Sequence, residues 1–149
     1  SFSVKIGGRT LGAYNDQTVW KDVYEQQVAP VYEKNKGPFS IFSETISKNG
    51  FEDFIKPHKG DSSTFVEAVP DNFKCKLVFL DGDHSYEAVC KDIRNLEKYL
   101  VAGGWICFDD AFSTYDGVNR AITDLIINNP RYELCQQMTR KFFIARKKK

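Results

Sequence analysis

The chain has 149 residues, of which 28% are charged, and its 21 basic and 20 acidic residues give a formal net charge of +1 at pH 7. This length suits one core, so we expect a single domain over residues 1–149. The balanced charge creates no field that would attract nucleic acid or an acidic membrane surface, so neither is expected as a partner.

The cysteines and the hydropathy pattern indicate a reducing compartment. Cys75, Cys90, Cys107 and Cys135 form no CxxC pair and lie mostly in apolar runs, which is typical of reduced, buried thiols rather than disulfides or zinc ligands. The sequence shows no charged-then-apolar leader and no apolar run long enough to span a bilayer. We therefore expect a cytoplasmic protein.

The first fourteen residues alternate in polarity and then run into glycines, and two interpretations compete. Gly7, Gly8 and Gly12 could form the turn after a first parallel strand, where backbone approaches a cofactor. Alternatively, Gly7 and Gly8 could form the two-residue turn of a hairpin. On the second interpretation the N-terminal βα unit of a nucleotide-binding sheet is reduced or missing.

Two helices and a short strand are predicted between residues 16 and 50. Residues 16–28 have helical spacing of apolar side chains, and Pro30 is expected to end that helix. Residues 31–33 are predicted to form a strand. Glu33 would then lie at the strand end, where nucleotide-binding α/β folds place an acid that accepts the ribose hydroxyls. A lone surface glutamate is the alternative. A second helix is predicted over residues 39–48, before an Asn-Gly stop.

An edge strand is predicted over residues 54–58, because Pro57 cannot donate to a sheet ladder. Gly60, Asp61 and Ser62 follow it directly. By themselves these three residues are a common turn and helix cap.

A βαβ unit is predicted next. Residues 77–80 and 105–108 are apolar runs without alternation, which indicates strands buried on both faces. Between them, apolar residues recur at helical spacing, with Ser85 as N-cap and Gly103-Gly104 as the stop. Two strands joined by a helix in this way are parallel.

Each strand of this unit delivers two aspartates at its carboxyl end, where open α/β sheets bind ligands. Asp81 and Asp83 follow the first strand, and Asp109 and Asp110 follow the second. Four close carboxylates would repel one another unless a cation compensates their charge. Mg²⁺ or another divalent ion held by Asp81, Asp109 and Asp110 is therefore predicted. Alternatively, each acid is a helix cap or a solvated loop residue.

The remaining chain completes an α/β fold. Residues 111–115 are predicted to form an active-site loop with two aromatic side chains, and residues 116–127 an amphipathic helix. Residues 131–138 and 141–146 are predicted to close the sheet as an antiparallel hairpin.

The stretch Leu80-Asp-Gly-Asp-His-Ser-Tyr-Glu-Ala-Val89, followed by a helix, Gly-Gly, a strand and Asp-Asp, resembles a known family. It is similar to the carboxyl half of class I S-adenosylmethionine-dependent methyltransferases, most of all the metal-dependent O-methyltransferases of the macrocin and cephalosporin-biosynthesis type. The resemblance extends from about residue 51 to residue 147. It implies a Rossmann-like, mostly parallel sheet with a C-terminal antiparallel hairpin.

The resemblance also implies a reaction and roles for individual residues. Methyl transfer from S-adenosylmethionine to a hydroxyl oxygen of a small sugar-like or catechol-like molecule is implied, with magnesium as the metal. Asp61 and Ser62 would contact the adenine ring, and Asp81 would lie beside both cofactor and metal. Asp83 would remove the hydroxyl proton while the metal lowers the pKa of that hydroxyl. His84 is a further proton acceptor, a ligand, or a neighbour of the helix cap.

Two functions of other kinds stay open. One is a phosphohydrolase or glycosyltransferase that uses Asp81 and Asp83 as a metal-binding DxD, although Asp109 follows too soon for a haloacid-dehalogenase-type site. The other is a binding module with a methyltransferase-like fold and no catalysis. If the first strands are missing, a homo-oligomer is expected, because a partner chain would complete the sheet.

Overall fold

In the computed structural model, the described residues are 2–6, 9–14, 24–35 and 37–149, with side chains described from residue 25 onward. The chain divides into two compact units, Ser1–Lys59 and Gly60–Lys149. The expectation of a single domain stays a prediction.

The first unit contains a two-stranded sheet and helices. Strands β1 (Phe2–Ile6) and β2 (Arg9–Tyr14) pair in antiparallel fashion. A π-helical turn (Tyr24–Val28) leads into helix α1 (Ala29–Lys34), and helix α2 (Pro38–Lys48) follows.

The antiparallel pairing agrees with the hairpin interpretation of the N-terminal glycines. Gly12 lies within β2 rather than in a turn that precedes a helix. Gly7 and Gly8 lie outside the described part of the chain, as do most residues of the helix predicted over 16–28.

The predictions that Pro30 ends a helix and that residues 31–33 form a strand are wrong. Pro30 lies in the first turn of α1, where the backbone N–H has no partner within the helix and proline costs no hydrogen bond. Glu33 is an exposed residue of α1. It does not stand at a strand end, the position on which its predicted ribose contact depends.

The helix predicted over residues 39–48 is confirmed as α2, which is capped by Asn49 and followed by Gly50 at a φ of 68°.

The edge strand predicted over residues 54–58 is wrong, because a turn is followed there by irregular chain. Phe54 is 84% exposed, and an apolar run forms a strand only where a neighbour accepts its backbone hydrogen bonds.

The second unit has a four-stranded sheet in the order β3-β4-β6-β5. Its elements in chain order are α3 (Ser62–Ala68), β3 (Cys75–Leu80), α4 (Tyr86–Glu97), β4 (Leu100–Phe108), α5 (Asp116–Ile122), a π-helical turn (Thr123–Ile127), β5 (Tyr132–Gln137) and β6 (Phe143–Lys147). Strands β3 and β4 are parallel because α4 carries the chain back along the sheet, whereas β5 and β6 are antiparallel because a short turn joins them. The α/β class, the βαβ unit and the C-terminal hairpin are confirmed. One of the three pairings in this sheet is parallel and two are antiparallel, so the prediction of a mostly parallel sheet is wrong for the described strands.

The core of this unit lies on the face of the sheet that carries α4 and α5. Its most deeply buried side chains, all at most 1% exposed, include Ile93, Ile106, Phe108, Ile122 and Ile126.

The prediction that the strand over residues 77–80 is buried on both faces is wrong, because one face of the described strand is exposed. Leu77 and Phe79 are 58% and 52% exposed, whereas Val78 between them is buried, because alternate side chains of a strand point to opposite faces.

The prediction that Gly103-Gly104 stops the helix is also wrong. Helix α4 ends at Glu97, and both glycines lie inside β4. Gly103 has a φ of 77°, and a Cβ on Gly104 would lie 2.7 Å from Leu100 Cδ1. The two glycines therefore allow an irregular segment in β4, where the pairing with β3 shifts. Cys75 of β3 pairs with Leu100, but Leu77, only two residues later, pairs with Trp105.

Gly117 is where α5 packs most closely against the chain ahead of α4. A Cβ at this position would overlap the carbonyl oxygen of His84 and lie 2.5 Å from the Tyr86 amide nitrogen. Both neighbours are backbone atoms, so the contact cannot be relieved by a change of rotamer.

We expect Gly117→Ala to lower the free energy of unfolding by about 1–3 kcal/mol, as overpacking does elsewhere. Thermal and urea denaturation would measure the loss. Gly82→Ala is the matched control, because its added Cβ would meet a single side-chain oxygen of Asp92 at 3.4 Å. Equal stability of the two variants would contradict this packing.

Candidate metal and active site

The parallel strands β3 and β4 end together, and this brings their following residues to one edge of the sheet. Leu80 pairs with Phe108, and the Asp109 amide donates to the Leu80 carbonyl oxygen at 3.0 Å. The acids after each strand therefore start from neighbouring backbone positions, as the sequence predicts.

Three side chains at this edge converge. Single ligand atoms of Asp81, His84 and Asp110 all lie within 4.8 Å of one another. His84 Nε2 lies 3.2 Å from Asp110 Oδ2, and the two side chains are only 29% and 16% exposed. The structure thus joins two of the predicted metal ligands with His84. Asp109 lines the adjoining pocket but is not a member of this group.

The position of Asp110 is fixed by its backbone. Asp110 has a φ of 51°, a left-handed conformation that costs free energy for a residue with a side chain. The Ser113 hydroxyl donates to its carbonyl oxygen at 2.6 Å, and the next residue, Ala111, is fully buried. The strained turn carries the Asp110 carboxylate to the sheet edge.

Lys141 also contacts this site, and no sequence pattern pointed to it. Its Nζ lies 2.7 Å from Asp110 Oδ1, across 31 residues of sequence. The hydrogen bond and the negative charge of Asp110 raise the pKa of Lys141. The turn of the β5-β6 hairpin brings this lysine to the acids, so only the tertiary fold reveals the contact.

The side chain of Asp83 makes a hydrogen bond to the backbone at the start of α4. Its Oδ1 accepts a hydrogen bond from the Ser85 amide at 2.7 Å, and Ser85 is the N-cap of the helix, as predicted. Hydrogen bonds from Ser85 lower the pKa of Asp83. This geometry matches the helix-cap alternative for Asp83, and its role as a base stays a prediction.

The loop between Asp109 and α5 supplies an aromatic partner for His84. The Tyr115 ring stacks on the imidazole with centroids 3.9 Å apart and an interplanar angle of 27°. Stacking restricts the orientation of the His84 ring. The pocket beside it is lined by acidic residues and by the apolar side chains Leu80, Val89, Phe108 and Val118.

Asp61 and Ser62 have structural partners at the start of α3. Asp61 Oδ1 accepts from the amides of Ser63 and Thr64, and its Oδ2 lies 3.1 Å from Lys91 Nζ. The Thr64 amide is the main cause of its lowered pKa, followed by Lys91. Asn95 donates to the Ser62 hydroxyl at 3.0 Å. These contacts match the alternative interpretation of these residues, in which they cap a helix. Their predicted contact with adenine stays a prediction.

Two substitutions at Asp61 separate the effect of helix capping on the melting temperature from the effect of the negative charge. Asp61→Asn should melt close to the wild-type temperature, because asparagine also caps helices well, whereas Asp61→Ala should melt lower. Differential scanning calorimetry would measure both, with the exposed Asp71→Ala as control. Equal melting of the alanine and asparagine variants would show that the cap contributes nothing.

Comparison with known proteins identifies the family. A family model described as a methyltransferase domain matches residues 12–111, well over half of the chain and all of β3, α4 and β4. The chain therefore belongs to this methyltransferase family, and the predicted likeness to class I S-adenosylmethionine-dependent methyltransferases is confirmed at this level. The family assignment also favours methyl transfer over the phosphohydrolase and glycosyltransferase alternatives.

A curated relative matches part of the chain. An uncharacterized protein of Acanthamoeba polyphaga mimivirus is 32% identical over 79 residues. The match covers 52% of this chain and 32% of the viral protein, so the chain spans only a part of that relative's length.

Among the described residues, no helix has the length and apolar character needed to cross a membrane.

Proposed function

We propose that this chain transfers a methyl group from S-adenosylmethionine to a hydroxyl oxygen of a small sugar-like or catechol-like molecule, with the help of a divalent cation. The family supports methyl transfer and the methyl donor. The observation that carries the finer proposal is the convergence of Asp81, His84 and Asp110. Molecules with neighbouring hydroxyls chelate such ions, which favours an oxygen acceptor.

The three side chains lie close enough to share one divalent ion. Mg²⁺ holds its ligands at about 2.0–2.1 Å, so two ligand atoms of one ion lie at most about 4.2 Å apart. The three ligand atoms lie within 4.8 Å of one another, so small side-chain movements would bring all three onto one ion. Two carboxylates would bind Mg²⁺ or Mn²⁺, and the imidazole favours Mn²⁺ of these two, because Mg²⁺ selects oxygen ligands.

The proposed reaction divides the work among the side chains of the site. When bound, the cation lowers the pKa of a coordinated hydroxyl. Asp81, His84 and Asp110 would hold it, and the stacked Tyr115 ring orients His84. Asp83 lines the same pocket and would accept the hydroxyl proton. The lowered pKa of Asp83 makes it a weak base, so it depends on prior acidification of the hydroxyl.

Methyl transfer itself requires alignment rather than covalent help from the protein. The nucleophilic oxygen, the methyl carbon and the sulfur must lie in line, and holding them so supplies most of the rate. The pocket wall formed by Val89, Phe108 and Val118 is rigid because all three side chains are buried. It can restrict the pose of a small acceptor beside the metal ligands.

A methyltransferase-like binding module without catalysis is the second candidate. The antiparallel β1-β2 pairing favours it, because Gly12 lies in a strand and not in a cofactor-binding turn. Calorimetry with S-adenosylmethionine, followed by a transfer assay with a labelled methyl group, separates the two candidates. Binding without transfer to any hydroxylated acceptor would favour the module.

The metal ligands can be tested without knowledge of the acceptor. Asp81→Asn and His84→Gln should each weaken Mn²⁺ binding by at least about tenfold, because loss of a ligand costs no less than loss of its supporting contacts. Isothermal titration calorimetry would measure the affinities. Asp71→Asn, an exposed aspartate outside the site, should bind like wild type. Unchanged affinity in both site variants would reject the assignment.

Asp83 should differ from the metal ligands in its kinetic behaviour. With a catechol as test acceptor, we expect Asp83→Asn to lower turnover and to leave Mn²⁺ affinity unchanged. The defect should shrink as pH rises, because the acceptor hydroxyl then ionises without a base. Parallel pH profiles of the variant and wild type would contradict a base at this position, as would a loss of Mn²⁺ affinity equal to that of Asp81→Asn.

A further inference from the structure

We propose that Lys141 is an internal counter-cation that occupies Asp110 in the metal-free protein and is displaced when a divalent ion binds. This inference rests on the proposed function, because it concerns regulation of the same metal site. It goes beyond that function by assigning a role to a residue outside the ligand group.

Both oxygens of the Asp110 carboxylate have partners in the structure. Oδ1 lies 2.7 Å from Lys141 Nζ, and Oδ2 lies 3.2 Å from His84 Nε2. A cation that binds through Asp110 therefore meets one of these two partners at either oxygen. His84 offers a ring nitrogen and belongs to the ligand group, so it can become a ligand. A charged Lys141 has three donors and no lone pair, so it can only repel a divalent ion and is displaced when the ion takes Oδ1.

The backbone of Lys141 is held next to Asp110, whereas its charged end is accessible to water. The Lys141 carbonyl oxygen accepts from the amide of Ala111 at 2.9 Å, and Ala111 is fully buried. The Lys141 side chain is 53% exposed, and its four-carbon stem is flexible. The ammonium can thus move into solvent without any change in the hairpin backbone.

The ion pair between Lys141 and Asp110 stabilises the site without a divalent ion and weakens the binding of one. Without a divalent ion, the ammonium offsets the repulsion between Asp81 and Asp110. With a divalent ion, the lost ion pair and the nearby positive charge both weaken the measured affinity. Lys141 therefore sets the ion concentration at which the site fills.

The test is Mn²⁺ titration of the whole chain by calorimetry, with Lys141→Met as the principal variant. We expect Lys141→Met to bind Mn²⁺ about fivefold more tightly than wild type, the upper end for a partly exposed ion pair. Lys141→Arg keeps the charge and should bind like wild type. Melting curves of all variants would show that each one is folded.

Two controls separate displacement from a general charge effect. Lys148→Met removes the same charge from an exposed residue just past the far end of β6. This position is beyond a Debye length of about 8 Å at physiological salt, so the variant should bind like wild type. In an Asp110→Asn background, Lys141→Met should change Mn²⁺ affinity by less than about twofold, because the pair is already broken.

The outcomes distinguish this inference from the metal site itself. Equal Mn²⁺ affinity of wild type and Lys141→Met would overturn the role of Lys141 and leave the site intact. An equal gain in Lys148→Met would also overturn it, since net charge would then be the cause. If neither wild type nor Lys141→Met binds Mn²⁺, both the metal site and the inference fall.

Discussion

The parallel pairing of β3 with β4 is the constraint on which the site depends. It places Leu80 opposite Phe108, and the Asp109 amide extends the pairing by one more hydrogen bond. Two acidic segments consequently leave the sheet side by side, so their charges must be balanced locally. The crossover helix α4 makes the parallel pairing possible, and its buried face anchors both strands to one core.

Charge balance then explains the surroundings of the acids. Asp110 lies between His84 and Lys141, while Asp83 is turned toward the amide at the start of α4. Asp83 and Asp110 thus each have a donor or a cation beside them, as expected where acids cluster and water is partly excluded. The same arrangement offers three ligand atoms to one cation.

The sequence predicted those features that depend on local chemistry or on strong periodicity. Ser85 as a cap, the helix after it, the C-terminal hairpin and the acids at the sheet edge all follow from such signals. Features decided by tertiary contacts were missed. Residues 31–33 look like a strand but continue a helix that has a tolerated proline in its first turn. The contact of Lys141 with Asp110 joins residues on different elements, so no local pattern could indicate it.

His84 and two aspartates are proposed to bind one divalent ion in this methyltransferase-family domain. Pulsed electron paramagnetic resonance of bound Mn²⁺ is the sharpest test of this coordination, because a coordinated imidazole nitrogen modulates the spin echo of the metal. We expect nitrogen modulation in wild type and its loss in His84→Gln, while weaker Mn²⁺ binding persists. Bound Mn²⁺ without nitrogen modulation, or with the same modulation in His84→Gln, would show that His84 is not a ligand.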